Sequence, residues 1–274
     1  MNPAPEVVRA VTRVLGVRPH SWAYVHAGHT HAAKWIVPGA FVKAGGESSA
    51  HAQVAREARV LEALGDAPFV PRVHGFEHEG DWAVLVLEDL GGGDWPPPYP
   101  DRGEGLFAAL AAVARTPPPA FLPRHEPGRP EGTYWSRLSS DAGLVPPGWL
   151  DALAEAESAA TLDGEQLVHG DLWEGNACYA PRGVVLVDWA DAFVGDARLD
   201  LAWAVVTVRA GLVEPAAVDF PSAAAYAALV AGANAWSLLH PPDVPDVERL
   251  TAVHRRQFAA AVGWVSELLG LPPV

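Results

Sequence analysis

Between Gly91 and Pro100 the chain reads GGGDWPPPYP, and neither a helix nor a strand can run through it. The glycines carry no conformational bias, while the prolines lack N–H donors and fix φ at about −65°, so this stretch predicts a connection between two bodies. The hydrophobic pattern differs on its two sides. Before it, a helical stretch from Pro5 to Leu15 is followed by short β-like runs, SWAYVHAG, HAAKWIVPG and AFVKAGG. A helix then starts near Ser48 and stops at Gly65, and PRVHGFEHEG and DWAVLVLEDL supply two further strands. Beyond it the pattern has the spacing of helices in EGLFAALAAVAR, PPGWLDALAEAESAA, ARLDLAWAVVTVRAG, SAAAYAALVAGANAWSLL and DVERLTAVHRRQFAAAVGWVSELLG. The expected organisation is a sheet lobe with one long helix over residues 1–90, a linker at 91–100, and a mainly helical lobe over 101–274.

A chain of 274 residues is long enough for two cores. Its net charge of −14, from 33 acidic and 19 basic residues, disfavours nucleic acid and anionic membranes and suits small neutral or cationic molecules. No stretch of about 18 uncharged apolar residues exists, and the N-terminus carries acid and base among its apolar positions, so neither a membrane span nor a signal peptide is expected. With Cys178 the only cysteine, a soluble cytoplasmic protein without an internal disulfide is expected. All but two of the basic residues are arginine; Lys34 and Lys43 are the exceptions.

The densest polar cluster is HGDLWEGN, residues 169–176, followed by ACYAPRGVVLVDW. A turn at Ala180–Gly183 makes the latter a hairpin in which Tyr179 faces Val184 and Asn176 stands opposite Val187, beside Asp188. Cross-strand and diagonal neighbours lie within about 5–8 Å. An amide oxygen and a carboxylate then converge, with Asp171 five residues before Asn176. Hard oxygen donors that leave room for waters and phosphate oxygens suit Mg²⁺.

The run HGDLWEGN followed by VLVDWADAFVGDARLDLAWA resembles the aminoglycoside phosphotransferase-like kinases, which share the protein kinase fold. The spacing of Asp171 and Asn176 matches the kinase catalytic loop, with Gly170 where protein kinases carry Arg. HGDLW is also similar to the fructosamine kinases. The resemblance implies a two-lobed α+β fold with ATP in the cleft. It makes Asp171 the catalytic base, Asn176 and Asp188 the Mg²⁺ ligands, and His169 an organiser of the loop.

In the same scheme a strand lysine holds the nucleotide phosphates and pairs with a helix glutamate. Lys43 lies in AFVKAG, and Glu57 follows in the next helix. At about 100° per residue, Glu57 falls within about 60° of the apolar stripe formed by Ala50, Val54, Leu61 and Leu64, where an inward carboxylate needs a partner. Glu62 lies farther from that stripe. LVLEDLGGG resembles the hinge, with backbone groups from Glu88 to Leu90 meeting adenine. VHAGHTHAAKW occupies the place of the phosphate loop but lacks its full glycine pattern; Gly28, His29 and Thr30 are the candidates there.

Several residues have plainer explanations. His29 and His31 share strand parity, but no cysteine or carboxylate completes a tetrahedral set with them. Asp196 and Asp200 open a helix, where capping and dipole effects account for acids. The expected activity is ATP-dependent phosphoryl transfer to a small-molecule hydroxyl, such as an aminoglycoside or amino sugar, the acidic charge favouring a cationic acceptor. The alternatives are ketoamine phosphorylation of the fructosamine kinase type, a nucleotide-binding pseudokinase without transfer, and a metal-dependent hydrolase using the same carboxylates.

Overall fold

Helix α1 (Pro5–Leu15) opens on a proline, whose missing N–H costs nothing in the first turn, and closes on Gly16 in the left-handed conformation. The structure is a computed structural model describing residues 1–26, 31–124, 132–138, 143–146, 148–244 and 246–272. After α1 come β1 (Ala23–Tyr24), β2 (Ala33–Val37), β3 (Ala40–Gly45), α2 (Ser48–Leu64), β4 (Val73–Glu79) and β5 (Trp82–Glu88). The strands form one antiparallel sheet in the order β1-β2-β3-β5-β4. Pro38-Gly39 turns β2 into β3, with Gly39 at φ +77°.

Alternation along the strands gives the sheet two faces. Val42, Ala44, Val84 and Val86 meet Val7 and Val11 of α1 in an apolar layer. The opposite face carries Lys43, and α2 covers it with Val54, Glu57 and Leu61 buried. Helix α2 lies so close to the end of β3 that a Cβ on Gly45 would fall 2.3 Å from the Ala50 carbonyl, which only glycine permits.

The remaining elements are α3 (Glu104–Arg115), α4 (Tyr134–Arg137), α5 (Trp149–Ser158), β6 (Gln166–Val168), β7 (Ala177–Ala180), β8 (Gly183–Leu186), β9 (Phe193–Gly195), α6 (Arg198–Ala210), α7 (Ala223–Leu239) and α8 (Val247–Leu269). Helices α5 to α8 surround a core that includes Trp135, Leu153, Phe193, Leu199 and Tyr226. Strands β6 and β9 form a short antiparallel ladder, and β7 and β8 form the hairpin. Among the described residues no helix is long and apolar enough to cross a membrane.

The chain divides into two contact-dense units at Trp95/Pro96, within the expected linker. Residues Gly175–Ala192 belong to the first unit, whereas the sequence reading placed them with the helical lobe over 101–274. Backbone hydrogen bonds explain the difference. Leu186 N–H donates to Phe69 O at 2.8 Å, and Asp94 and Tyr179 exchange bonds of 3.1 and 2.9 Å. Arg182 adds a bond of 2.9 Å to Pro68 O. Pairing of this kind links distant parts of the chain and leaves no trace in local composition.

Candidate active site

In the first unit, three of the residues singled out by sequence meet in one ion-paired cluster. Lys43 Nζ donates to Glu57 Oε2 at 2.6 Å and to Asp188 Oδ1 at 2.7 Å. Lys43 and Glu57 are 3% and 2% exposed, so these charges stand in place of water. Burial works against the Lys43 ammonium, but Asp188 and Glu57 outweigh it and hold its pKa above the ordinary lysine value. For Glu57, burial raises the pKa and Lys43 only partly offsets it. Glu62, the lesser candidate, is exposed.

Sequence reasoning gave Lys34 no role. It stands directly opposite Lys43 in the β2–β3 register, is buried, and its charge favours the ionised form of Glu57. Its signal was its rarity as one of two lysines.

The β7–β8 hairpin has the expected register, Tyr179 facing Val184 and Ala177 facing Leu186. Val187 N–H donates to Asn176 O at 3.0 Å, so Asn176 opposes the residue before Asp188. Asn176 is buried. Asp188 has φ +66° and ψ 64°, a left-handed conformation that is uncommon for a residue with a Cβ. A carboxylate and an amide at adjoining cross-strand positions offer oxygen donors that fit a hard cation retaining other oxygen ligands, as Mg²⁺ does.

Asp171 lies in the second unit, in the loop after β6. Its N–H donates to His169 Nδ1 at 3.3 Å, and His169 is fully buried. The loop is held by a residue the sequence reading set aside. Asp200, in the first turn of α6, accepts from His169 N–H at 2.6 Å and Gly170 N–H at 3.1 Å. Burial pushes its carboxyl up to about 6, against the pull of those two bonds. Capping therefore does not account for Asp200. Asp196, just before the helix, accepts from Arg198 N–H at 2.9 Å and pairs with the Arg198 guanidinium. Glu174, in the same loop as Asp171, is paired with Arg256 of α8 at 2.5 Å.

The remaining expected residues are dispersed. Gly28, His29 and Thr30 lie outside the described residues. Glu88 ends β5; its carboxylate pairs with Arg182 and accepts from Arg72 N–H at 2.9 Å. Leu90 O accepts from Gly93 N–H at 2.9 Å. These bonds fix the segment that resembles a hinge.

Comparison with known proteins decides the affiliation. The family model described as phosphotransferase enzyme family (APH) matches residues 26–260, most of the chain. The chain belongs to this family. A curated relative, a probable ketoamine kinase from Thermus thermophilus, is 35% identical over 170 residues, 53% of this chain and 58% of the relative. The chain thus spans little more than half the length of that relative. A thermostable mutant of the aminoglycoside phosphotransferase APH(4)-Ia, solved with AMP-PNP and hygromycin B, superposes with a TM-score of 0.58 at 13% identity, covering 94% of this chain and 98% of the other. A choline/ethanolamine kinase family protein from Mesorhizobium loti gives 0.57 at 16% identity, over 90% and 89%. At these identities the two structures establish the kinase-like fold of the phosphotransferase chain, with its N-terminal antiparallel sheet and helical C-terminal part.

Proposed function

We propose that the protein is an ATP-dependent kinase that transfers the γ-phosphoryl group to a hydroxyl of a small molecule, with a ketoamine as the first acceptor to test. The observation carrying this reading is the buried Lys43 ammonium, bonded at once to a helix carboxylate and to Asp188. A structural ion pair needs one partner. A lysine shared between two carboxylates, one of them on a residue in the left-handed conformation, is suited to meet polyphosphate. The 35% identity to the probable ketoamine kinase supports the choice of acceptor class.

In this reading Lys43, oriented by Glu57, binds phosphate oxygens, and backbone groups between Glu88 and Leu90 receive the adenine. Gly28 and Thr30 are assigned to the phosphates on the resemblance alone. Asn176 and Asp188 would hold Mg²⁺, which when bound neutralises the phosphate charge. Asp171 accepts the hydroxyl proton as the acceptor oxygen bonds to the γ-phosphorus and ADP departs. His169 and Asp200 keep the Asp171 loop in place through its backbone N–H groups. The chain's own contribution is position and charge, the main levers in phosphoryl transfer.

Asp171→Ala tests the assignment. Turnover, followed as acceptor-dependent ADP release from a ketoamine or an aminoglycoside, should fall by about 10²–10⁴ while ATP binding persists. Undiminished turnover removes Asp171 from its role. ATP binding by the unaltered protein with no ADP release for any acceptor makes it a pseudokinase, and hydrolysis without nucleotide makes it a hydrolase.

A further inference from the structure

The left-handed backbone of Asp188 persists only where neighbouring groups over-determine it. Contacts within the first unit do so. Lys43 holds the Asp188 carboxylate at 2.7 Å. The Trp189 ring is fully buried 5.8 Å from Phe69, and its Nε1–H donates to Leu186 O at 2.8 Å. At the far end of the 3₁₀ turn Trp189–Asp191, Arg56 Nη2 donates to Ala192 O at 3.0 Å.

Arg56 directly precedes Glu57 on α2. Two consecutive residues of one helix therefore reach both sides of Asp188: Glu57 through Lys43 to the carboxylate, and Arg56 to the carbonyl that ends the turn. The contacts form a closed circuit that begins and ends on α2. An arginine serving only surface solubility would extend into water, whereas this one is half-buried and bonded to a carbonyl far along the chain. A charged donor on a carbonyl is among the stronger protein hydrogen bonds.

We propose that Arg56 is a positioning residue for phosphoryl transfer: by gripping the Ala192 carbonyl it fixes the turn that aims the Asp188 carboxylate at a metal–nucleotide complex. This rests on the kinase reading above. Losing Arg56 leaves Lys43 and Glu57 paired, so it should weaken the metal-dependent part of nucleotide binding and spare the rest.

The experiment is ADP titration by calorimetry, with Mg²⁺ and with EDTA, on the full chain and on Arg56→Met, which keeps the apolar stem but removes the donors. ADP affinity in Mg²⁺ should fall about tenfold, equivalent to about 1.4 kcal/mol, with affinity in EDTA unchanged and Arg56→Lys intermediate. An equal loss in both conditions would mean that Arg56 only supports the fold, and no loss in either would mean that it positions nothing; each result overturns the proposal. Should Arg56→Met melt well below the unaltered protein, Arg56→Gln serves for the same comparison. Failure of the unaltered protein to bind ADP at all sinks the kinase reading, whereas a Mg²⁺-dependent gain that survives in the variants sinks Arg56 alone.

Discussion

Asp188 and Asp171, the two carboxylates central to the proposed chemistry, are held by different means. At the Asp188 carboxylate itself the contacts are between side chains of opposite charge, Lys43 bridging it to Glu57 at bond lengths below 3 Å. Around Asp171 they are backbone N–H groups converging on acceptors, His169 and Gly170 on Asp200, and Asp171 itself on the His169 ring. The first arrangement depends on residue identity, because removing a single member leaves a buried charge uncompensated. The second depends on chain geometry, since any residue can supply the N–H and only the acceptor must be specified. Substitutions in the two regions should therefore fail differently.

The largest effect is expected for Lys43→Met. It leaves Glu57 and Asp188 without their shared cation, and chemical denaturation should record a loss of about 3–5 kcal/mol, with turnover falling at least about 10²-fold. A variant as stable as the parent would erase the distinction between the regions. Next comes Asp200→Asn, compared with the parent across pH. The folded pKa of Asp200 lies near 6, above its unfolded value, so the stability it contributes is present at low pH and is lost as pH rises through about 6. Between about pH 4 and 6 the parent should lose up to about 3 kcal/mol relative to the variant. A difference independent of pH would show that the loop is not held by an ionising carboxylate. The smallest effect, and the control, is Arg124→Ala. Its bidentate pair with Glu165 has bonds of 2.7 and 2.8 Å, nearly as short as those of Lys43, but both side chains are mostly exposed. Solvent screening should leave the melting temperature without a resolvable shift.

The same contrast explains what could be read from the sequence. The boundaries of α1 and α2 follow from Pro5, Gly16 and Gly65, which act locally, and the hairpin register follows from its turn. The inward direction of Glu57 follows from helical periodicity, and Lys43 from its strand and its rarity. Asp200 was legible as a helix-opening acid but not as the anchor of a loop thirty residues earlier, because backbone N–H acceptors leave no mark on the sequence they hold. Strand β9 has three residues, too few for a period to register. The inclusion of Gly175–Ala192 in the first unit depends on pairing across the chain, for example between Asp94 and Tyr179, which no window of neighbouring residues contains.

That inclusion also bears on how the protein is made. A ribosome releases Met1–Trp95 well before Gly175–Ala192, so the emerging polypeptide carries Lys43 and Glu57 for a time without Asp188, and Phe69 without Trp189. The earliest portion to be synthesised is thus completed late, and a fragment ending at Trp95 would display an unfinished surface prone to self-association.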